Sequence, residues 1–240
     1  MTSTLSGQAA TGSAPDAVPA PGSDCRAAFR AAYENRYTWE PGFGGYRGCC
    51  VWEQPSQAGE AERLVAGTFV VGADLRASVA GIEDEAVHKA IASQLWEVAI
   101  HRVRRSFEQT HGENSFTAGD TNDVGTEVIV GGKGAGDRYR IKDDVVTMVH
   151  RHIHGTVVTI FTEAVIHTGS GYLSSSYTSS YADPASGEPK GGMNRFTDTF
   201  VPLVEGGPWV LSERVVVADA FAESPASRQV FRFEALEALA

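Results

Sequence analysis

A chain of 240 residues, 42% of them hydrophobic, is long enough to bury a self-sufficient core and short enough that one domain is the default. Its formal charge of −10 and sequence pI near 5.1 repel polyanions, which argues against nucleic acid and anionic membrane surfaces as partners. No run of about 18 apolar residues occurs, so no membrane span is expected. The odd set Cys25, Cys49 and Cys50, two of them adjacent, is a poor disulfide framework and fits a reducing compartment.

Residues 1–23 are rich in Ala, Ser, Thr, Gly and Pro, too apolar-poor to offset chain entropy, and predict a disordered arm. They carry no Lys or Arg and no apolar run, so no secretory signal is expected and the chain reads as cytoplasmic. From Asp24, the residues Cys25, Phe29, Ala32, Tyr33 and Tyr37 fall near helical spacing, and Pro41-Gly42 supply a stop. Strands are predicted over 46–54 and 64–81, the second folded into a hairpin at Gly72-Ala-Asp. Over 84–109 the stripe Ile82, Val87, Ile91, Leu95, Val98 predicts a long amphipathic helix. Glu83, Asp84 and Glu85 stand at its start and Arg102, Arg104 and Arg105 near its end, an order that suits the helix dipole.

After Asn114 seven strands are predicted, at 126–130, 138–141, 145–151, 156–167, 171–181, 195–204 and 209–218. Gly, Asp, Asn and Pro turns separate them in the manner of an antiparallel meander. Residues 227–240 read as a short strand and a helical end. No βαβ alternation appears, so a parallel sheet is not expected. The fold class is α+β: a single domain over 24–240, with a mostly antiparallel curved sheet, a half-barrel, wrapped around one long helix. Its concave face is the natural place for a cavity.

This order of elements is similar to the LolA-like half-barrel of lipoprotein carriers, which are exported proteins. At the level of motifs the chain resembles the domain-of-unknown-function family 3386. The residues that carry the resemblance are Ala32-Tyr-Glu-Asn-Arg-Tyr-Thr-Trp-Glu-Pro-Gly-Phe-Gly-Gly-Tyr46, Gly81-Ile-Glu-Asp-Glu, His101-Arg-Val-Arg-Arg-Ser-Phe-Glu-Gln-Thr-His-Gly-Glu-Asn-Ser-Phe116 and Thr168-Gly-Ser-Gly-Tyr-Leu. The match spans roughly residues 25–220. It implies a domain extent and no chemistry.

The sharpest local feature is Val149-His-Arg-His-Ile-His-Gly155. On a straight strand the period of two puts His150, His152 and His154 on one face, successive Cα atoms about 6.6 to 7 Å apart. Two imidazoles at that spacing can share an ion with M–N near about 2.0 Å. A third needs a bend, which Gly155 can supply as a bulge or hairpin turn, and His167 can join from across the sheet. Such a shell suits copper, zinc or iron. The simpler reading, solvated rings at a strand end, carries equal weight, and paired imidazoles can also act as acid and base without a metal.

The run His101-Arg-Val-Arg-Arg105 stands out in an acidic protein. Arg102 and Arg105 can bind a carboxylate or phosphate through guanidinium forks. The plainer account is dipole stabilisation of a helix end, with ion pairs to Glu108, Glu113 or Asp120. Gly131-Gly-Lys-Gly-Ala-Gly136 lacks the phosphate-loop order and reads as a hairpin loop. Gly169-Ser-Gly171 is not a nucleophile elbow. Cys49 and Cys50 put one thiol on each face of a strand, and Asp198 and Glu213 are late-strand carboxylates that, if inward, would complete a metal site.

Two functions follow from this reading. One is a metal-dependent enzyme, an oxidoreductase among the classes, acting on a small molecule or peptide in the concave face. The other is a non-catalytic carrier of an apolar ligand in which the histidines are incidental. A scaffold that recruits partners through the N-terminal arm is a third.

Overall fold

The computed structural model describes residues 23–55 and 62–239, so the expected tail at 1–23 lies outside the described residues apart from Ser23. In chain order the elements are α1 (Ser23–Glu34), β1 (Gly45–Gln54), β2 (Arg63–Gly72), β3 (Ala77–Ala80), α2 (Glu85–Ile100), α3 (Phe107–His111), β4 (Asn114–Asn122), β5 (Gly125–Gly132), β6 (Arg138–Lys142), β7 (Val145–Ile153), β8 (Thr156–His167), β9 (Tyr172–Ala182), β10 (Asn194–Pro202), β11 (Trp209–Ala218) and β12 (Ser227–Ala238). The strands form one antiparallel sheet in the order β3-β2-β1-β12-β11-β10-β9-β8-β7-β6-β5-β4. It is open, with β3 and β4 as its edges.

The helices form where the sequence supplies both a stripe and a cap. Asp84 accepts from the amides of Ala86 and Val87 at 2.9 and 3.1 Å, satisfying donors that no helical carbonyl reaches. Val87, Ile91, Leu95, Val98 and Ala99 are the buried stripe. In α1 Cys25, Phe29, Ala32 and Tyr33 are buried, the i, i+4, i+7, i+8 pattern of a core-facing helix. That helix ends earlier than predicted because its last amides turn to the sheet: the Tyr37 amide donates to the Tyr172 carbonyl at 2.8 Å, and the Tyr172 amide to Asn35 at 2.9 Å.

The expected long helix is two elements. α2 stops at Ile100, and Ser106 opens α3 with a capping box in which Ser106 and Gln109 satisfy each other's backbone. The sheet is therefore not wrapped around one helix. α2 packs on β1, β2 and β3, and α1 on β4, β6 and β7, giving two apolar clusters. One joins Ile91, Leu95 and Val98 to Tyr46, Trp52, Phe69, Phe200, Phe231 and Phe233. The other joins Phe29 and Tyr33 to Phe107, Phe116, Val128 and Tyr139.

Cross-strand register settles which face each side chain occupies, since directly paired residues share a face and neighbours along a strand alternate. Tyr139 pairs Val149, Val149 pairs Ile160, Ile160 pairs Ser179, and Ser179 pairs Asn194. Tyr177 pairs Phe196, Asp198 pairs Arg214, Arg214 pairs Phe231, and Phe231 pairs Trp52. These residues line one inner face that carries both helices. α2, at 16 residues, is about 24 Å long and α1, at 12 residues, about 18 Å, whereas twelve strands spaced about 4.8 Å span about 50 Å. The two helices cover the two ends of that face.

Two stability predictions follow. Leu95 has no exposed surface, so Leu95→Ala lowers the unfolding free energy by about 2–5 kcal/mol, while Trp96→Ala, at a residue 51% exposed, changes it by less than about 1 kcal/mol; urea denaturation measures both. His111 sits among the rings of Phe29, Tyr33 and Phe107 at 5.0, 5.1 and 5.3 Å. Burial, helped by the charges of Arg151 and Arg36, pushes its pKa down to about 4 from 6.5. A depressed imidazole means the unfolded chain binds the proton first, so this contribution is whole above about pH 6.5 and is lost as pH falls towards 4. Across that window the urea midpoint of the wild type drops relative to that of His111→Phe; a constant gap between the two would contradict the assignment.

Candidate functional site

The histidines are divided by the fold. His150 and His152 do share a face, with ring centroids 5.8 Å apart, but each lies one residue off the inner-face position Val149 or Arg151, so both project from the face opposite the helices. His150 Nδ1 is 2.9 Å from the Thr159 hydroxyl. Asp137 accepts the His152 amide at 3.0 Å and lies 3.7 Å from its Nδ1, with its other oxygen taken by Arg151 at 3.0 Å. Burial and the neighbouring His152 hold the His150 imidazole below its ordinary pKa.

His154 occupies the β7–β8 turn with φ +48° and is exposed. Gly155 completes that turn as expected, but as a hairpin it ends the strand and does not bend His154 back. His167 pairs Tyr172 while His150 pairs Thr159, which puts eight residues of β8, about 26 Å, between them. His167 lines a separate cleft of about 240 Å³ with Lys142, Val145 and Val165. Among the described residues no three His, Cys, Asp or Glu side chains are placed to hold one metal ion. Asp198 and Glu213 are both committed to arginines, Arg214 and Arg232.

Buried polar chemistry concentrates instead on the inner face, where α2 meets β9, β10 and β11. Arg214 of β11 is buried, and its donors are all engaged: Nε to Asp198 Oδ1 at 2.7 Å, Nη2 to Asp198 Oδ2 at 2.6 Å and to the Tyr177 hydroxyl at 2.8 Å, and Nη1 to Gln94 at 2.9 Å. Glu97 adds a carboxylate 3.4 Å from Nη1. Burial opposes the charge of Arg214, but the hydrogen bonds and charge of Asp198 prevail and raise its pKa. The Tyr177 ring stacks on Phe196, centroids 4.7 Å apart and 9° from parallel.

Arg102 sits in the same group without such partners. The basic run in which it lies follows the cap of α2 directly, the Arg102 amide donating to the Ala99 carbonyl at 3.0 Å, so it stands at the helix end as the dipole account expects. The carboxylates expected to pair with the run are used elsewhere: Glu108 by Arg26 and Arg30, Glu113 by Lys133, Asp120 by Arg140. Arg105 is exposed. Arg102 is fixed by its backbone, whose carbonyl accepts the Trp39 amide at 2.8 Å, and by the Phe200 ring 5.3 Å from Cζ. Its Nε is sealed from solvent with no hydrogen-bond partner among the described residues. Burial pushes its pKa down to about 10, with Asp198 opposing and Arg214 and Arg36 adding to the fall. Arg102 and Arg214 thus share this region with two carboxylates, Asp198 and Glu97.

Tyr46 was not singled out by sequence. It is wholly buried, and its hydroxyl too has no partner. Burial raises its pKa, and the charges of Arg102 and Arg214 act against that rise, which places the hydroxyl within their field. No short-range pattern pointed to Tyr46; only the pairing of β1 with β12 brings it beneath α2.

The chain is similar in structure to a LolA superfamily protein from Nitrosomonas europaea, at 9% identity and a TM-score of 0.35, with 90% of this chain and 94% of that chain covered. It is similar to a putative outer membrane lipoprotein-sorting protein domain from Vibrio parahaemolyticus, at 8% identity and 0.33, with 90% and 92% covered. A DUF1329 family protein from Desulfovibrio piger follows at 7% identity and 0.27, with 91% and 93% covered. No curated protein matches the sequence. The family model described as "Protein of unknown function (DUF3386)" matches residues 20–239, and the chain belongs to that family.

Proposed function

We propose that the protein is a non-catalytic binding protein that takes an apolar ligand on the middle of the sheet's inner face, over β8 and β9. One observation carries the reading. Between the two helix-covered ends, the adjoining rungs Val149–Ile160–Ser179 and Arg151–Val158–Tyr181 put aliphatic and aromatic groups beside two polar ones on the inner face, yet Val158 and Ile160 are only half-buried and Tyr181 is 39% exposed. An apolar strip that a folded chain leaves open on its core side gains by covering, at about 25 cal/mol for each Å² removed from water. The strip runs into Tyr177 and Phe196, whose stacked rings supply a flat, rigid floor.

The enzyme expected from the histidines draws less support. Of its candidate ligands only His150 and His152 are close enough to act together, and those two stand on the other face of the sheet, apart from this strip. A carrier needs none of them.

Titration with Nile red, a neutral apolar dye, tests the reading. The wild type binds it with a fluorescence gain that saturates near one equivalent. Tyr181→Lys weakens binding roughly tenfold or more by putting a charge on the strip. Ile129→Lys, at a residue of matching exposure whose neighbours Val128 and Val130 face the core, leaves binding unchanged. Equal effects from the two substitutions would remove the inner face from the account.

A further inference from the structure

The apolar strip ends at Tyr177, and the arginine cluster begins there. Its two orphaned polar atoms, Arg102 Nε and the Tyr46 hydroxyl, have no hydrogen-bond partner among the described residues, and the buried carboxylate of the region is already spent. Both oxygens of Asp198 are held by Arg214, and Glu97 faces Arg214 and the Tyr177 hydroxyl. Buried donors in folded proteins find acceptors, and a desolvated guanidinium without one is costly. Here two buried donors without acceptors, one of them a guanidinium, point to the same missing partner, an anion with more than one acceptor oxygen.

We propose that Arg102, together with the Tyr46 hydroxyl, binds the oxyanion headgroup, carboxylate or phosphate, of an amphiphile whose chain lies along the inner-face strip. The inference rests on the reading above and adds the class of ligand. Arg102 remains partly exposed as a residue, so an anion reaches its guanidinium from solvent, while the sealed Nε and the wholly buried Tyr46 hydroxyl are reached as neighbouring side chains move aside. The guanidinium lies against Phe200, Cζ 5.3 Å from the ring centroid, and a planar fork suits two oxygens of one anion. Arg214 contributes its field only, since its own donors are engaged.

The test compares four probes on the whole chain by isothermal titration: oleate, 1-oleoyl lysophosphatidate, oleyl alcohol and inorganic phosphate. An oleate or lysophosphatidate affinity roughly ten- to a hundredfold above that of oleyl alcohol supports the proposal, and the better of the two identifies the headgroup. Arg102→Met abolishes the preference and leaves oleyl alcohol binding unchanged, Arg102→Lys keeps part of it, and Tyr46→Phe reduces it several-fold. In the absence of ligand Arg102→Met raises the melting temperature, because it removes an unpaired buried charge; a structural arginine would lower it, and that result overturns the proposal. Equal binding of oleate and oleyl alcohol by the wild type overturns the headgroup assignment while sparing the apolar site. Inorganic phosphate bound at Arg102 with no chain-bearing probe bound keeps the anion site and removes the apolar reading. Binding of none of the four ends both.

Discussion

The parity of an antiparallel ladder governs this molecule. With twelve strands hydrogen-bonded edge to edge, every residue's face is set by its neighbours' register, and one slip would exchange the two faces. The pairing carries a single inner face from Tyr139 in β6 to Trp52 in β1, and both helices lie on it. The same arithmetic sends His150 and His152 outward. A sheet this wide is broader than either helix is long, so two separate apolar clusters form, and the strands between them keep an open strip on what is elsewhere the core side.

At the junction of strip and cluster the fold holds charges that it only partly balances. The Asp198–Arg214 pair is nearly perfect: fork to carboxylate, both side chains 2% exposed, with Tyr177 and Gln94 taking the remaining donors. Breaking such a pair by removing one partner costs about 3–5 kcal/mol. Arg102 lies beside it with a sealed, unpartnered Nε. Stability alone does not account for an arginine there, since an apolar residue of similar volume would stack on Phe200 equally well and avoid the desolvation cost. Residues that cost stability in a well-packed region are characteristic of binding sites.

Much of the fold was legible in the sequence, because turn residues punctuate it. All seven strands read after Asn114 are present, as β5 to β11, and so is the hairpin at Gly72. β4 escaped notice since Asn-Ser-Phe-Thr-Ala-Gly-Asp-Thr-Asn is a polar edge strand with one buried residue, Phe116. The C-terminal stretch Glu-Ala-Leu-Glu-Ala has helical propensity, yet pairing with β1 makes it strand to Ala238; tertiary pairing outweighs local preference. The break in the long helix did leave a signal: Ser106-Phe-Glu-Gln109 is a capping box, and it marks a new start. The period of two correctly placed His150 and His152 together. Which side of the sheet they occupy depends on partners in β6 and β8, and no local pattern contains that. Arg102 was visible as part of a basic run; the exhaustion of Glu108, Glu113 and Asp120 by other partners was not.

The central claim is that the uncovered middle of the inner face is the ligand site. Photolabelling with a fatty acid bearing a mid-chain diazirine, followed by residue-level mapping of the adducts, addresses it directly. The account predicts adducts at Val158, Ile160 and Tyr181, with their outward neighbours Thr159 and Phe161 unlabelled. Adducts concentrated on the His150–His152 face, or spread over both faces alike, would contradict it.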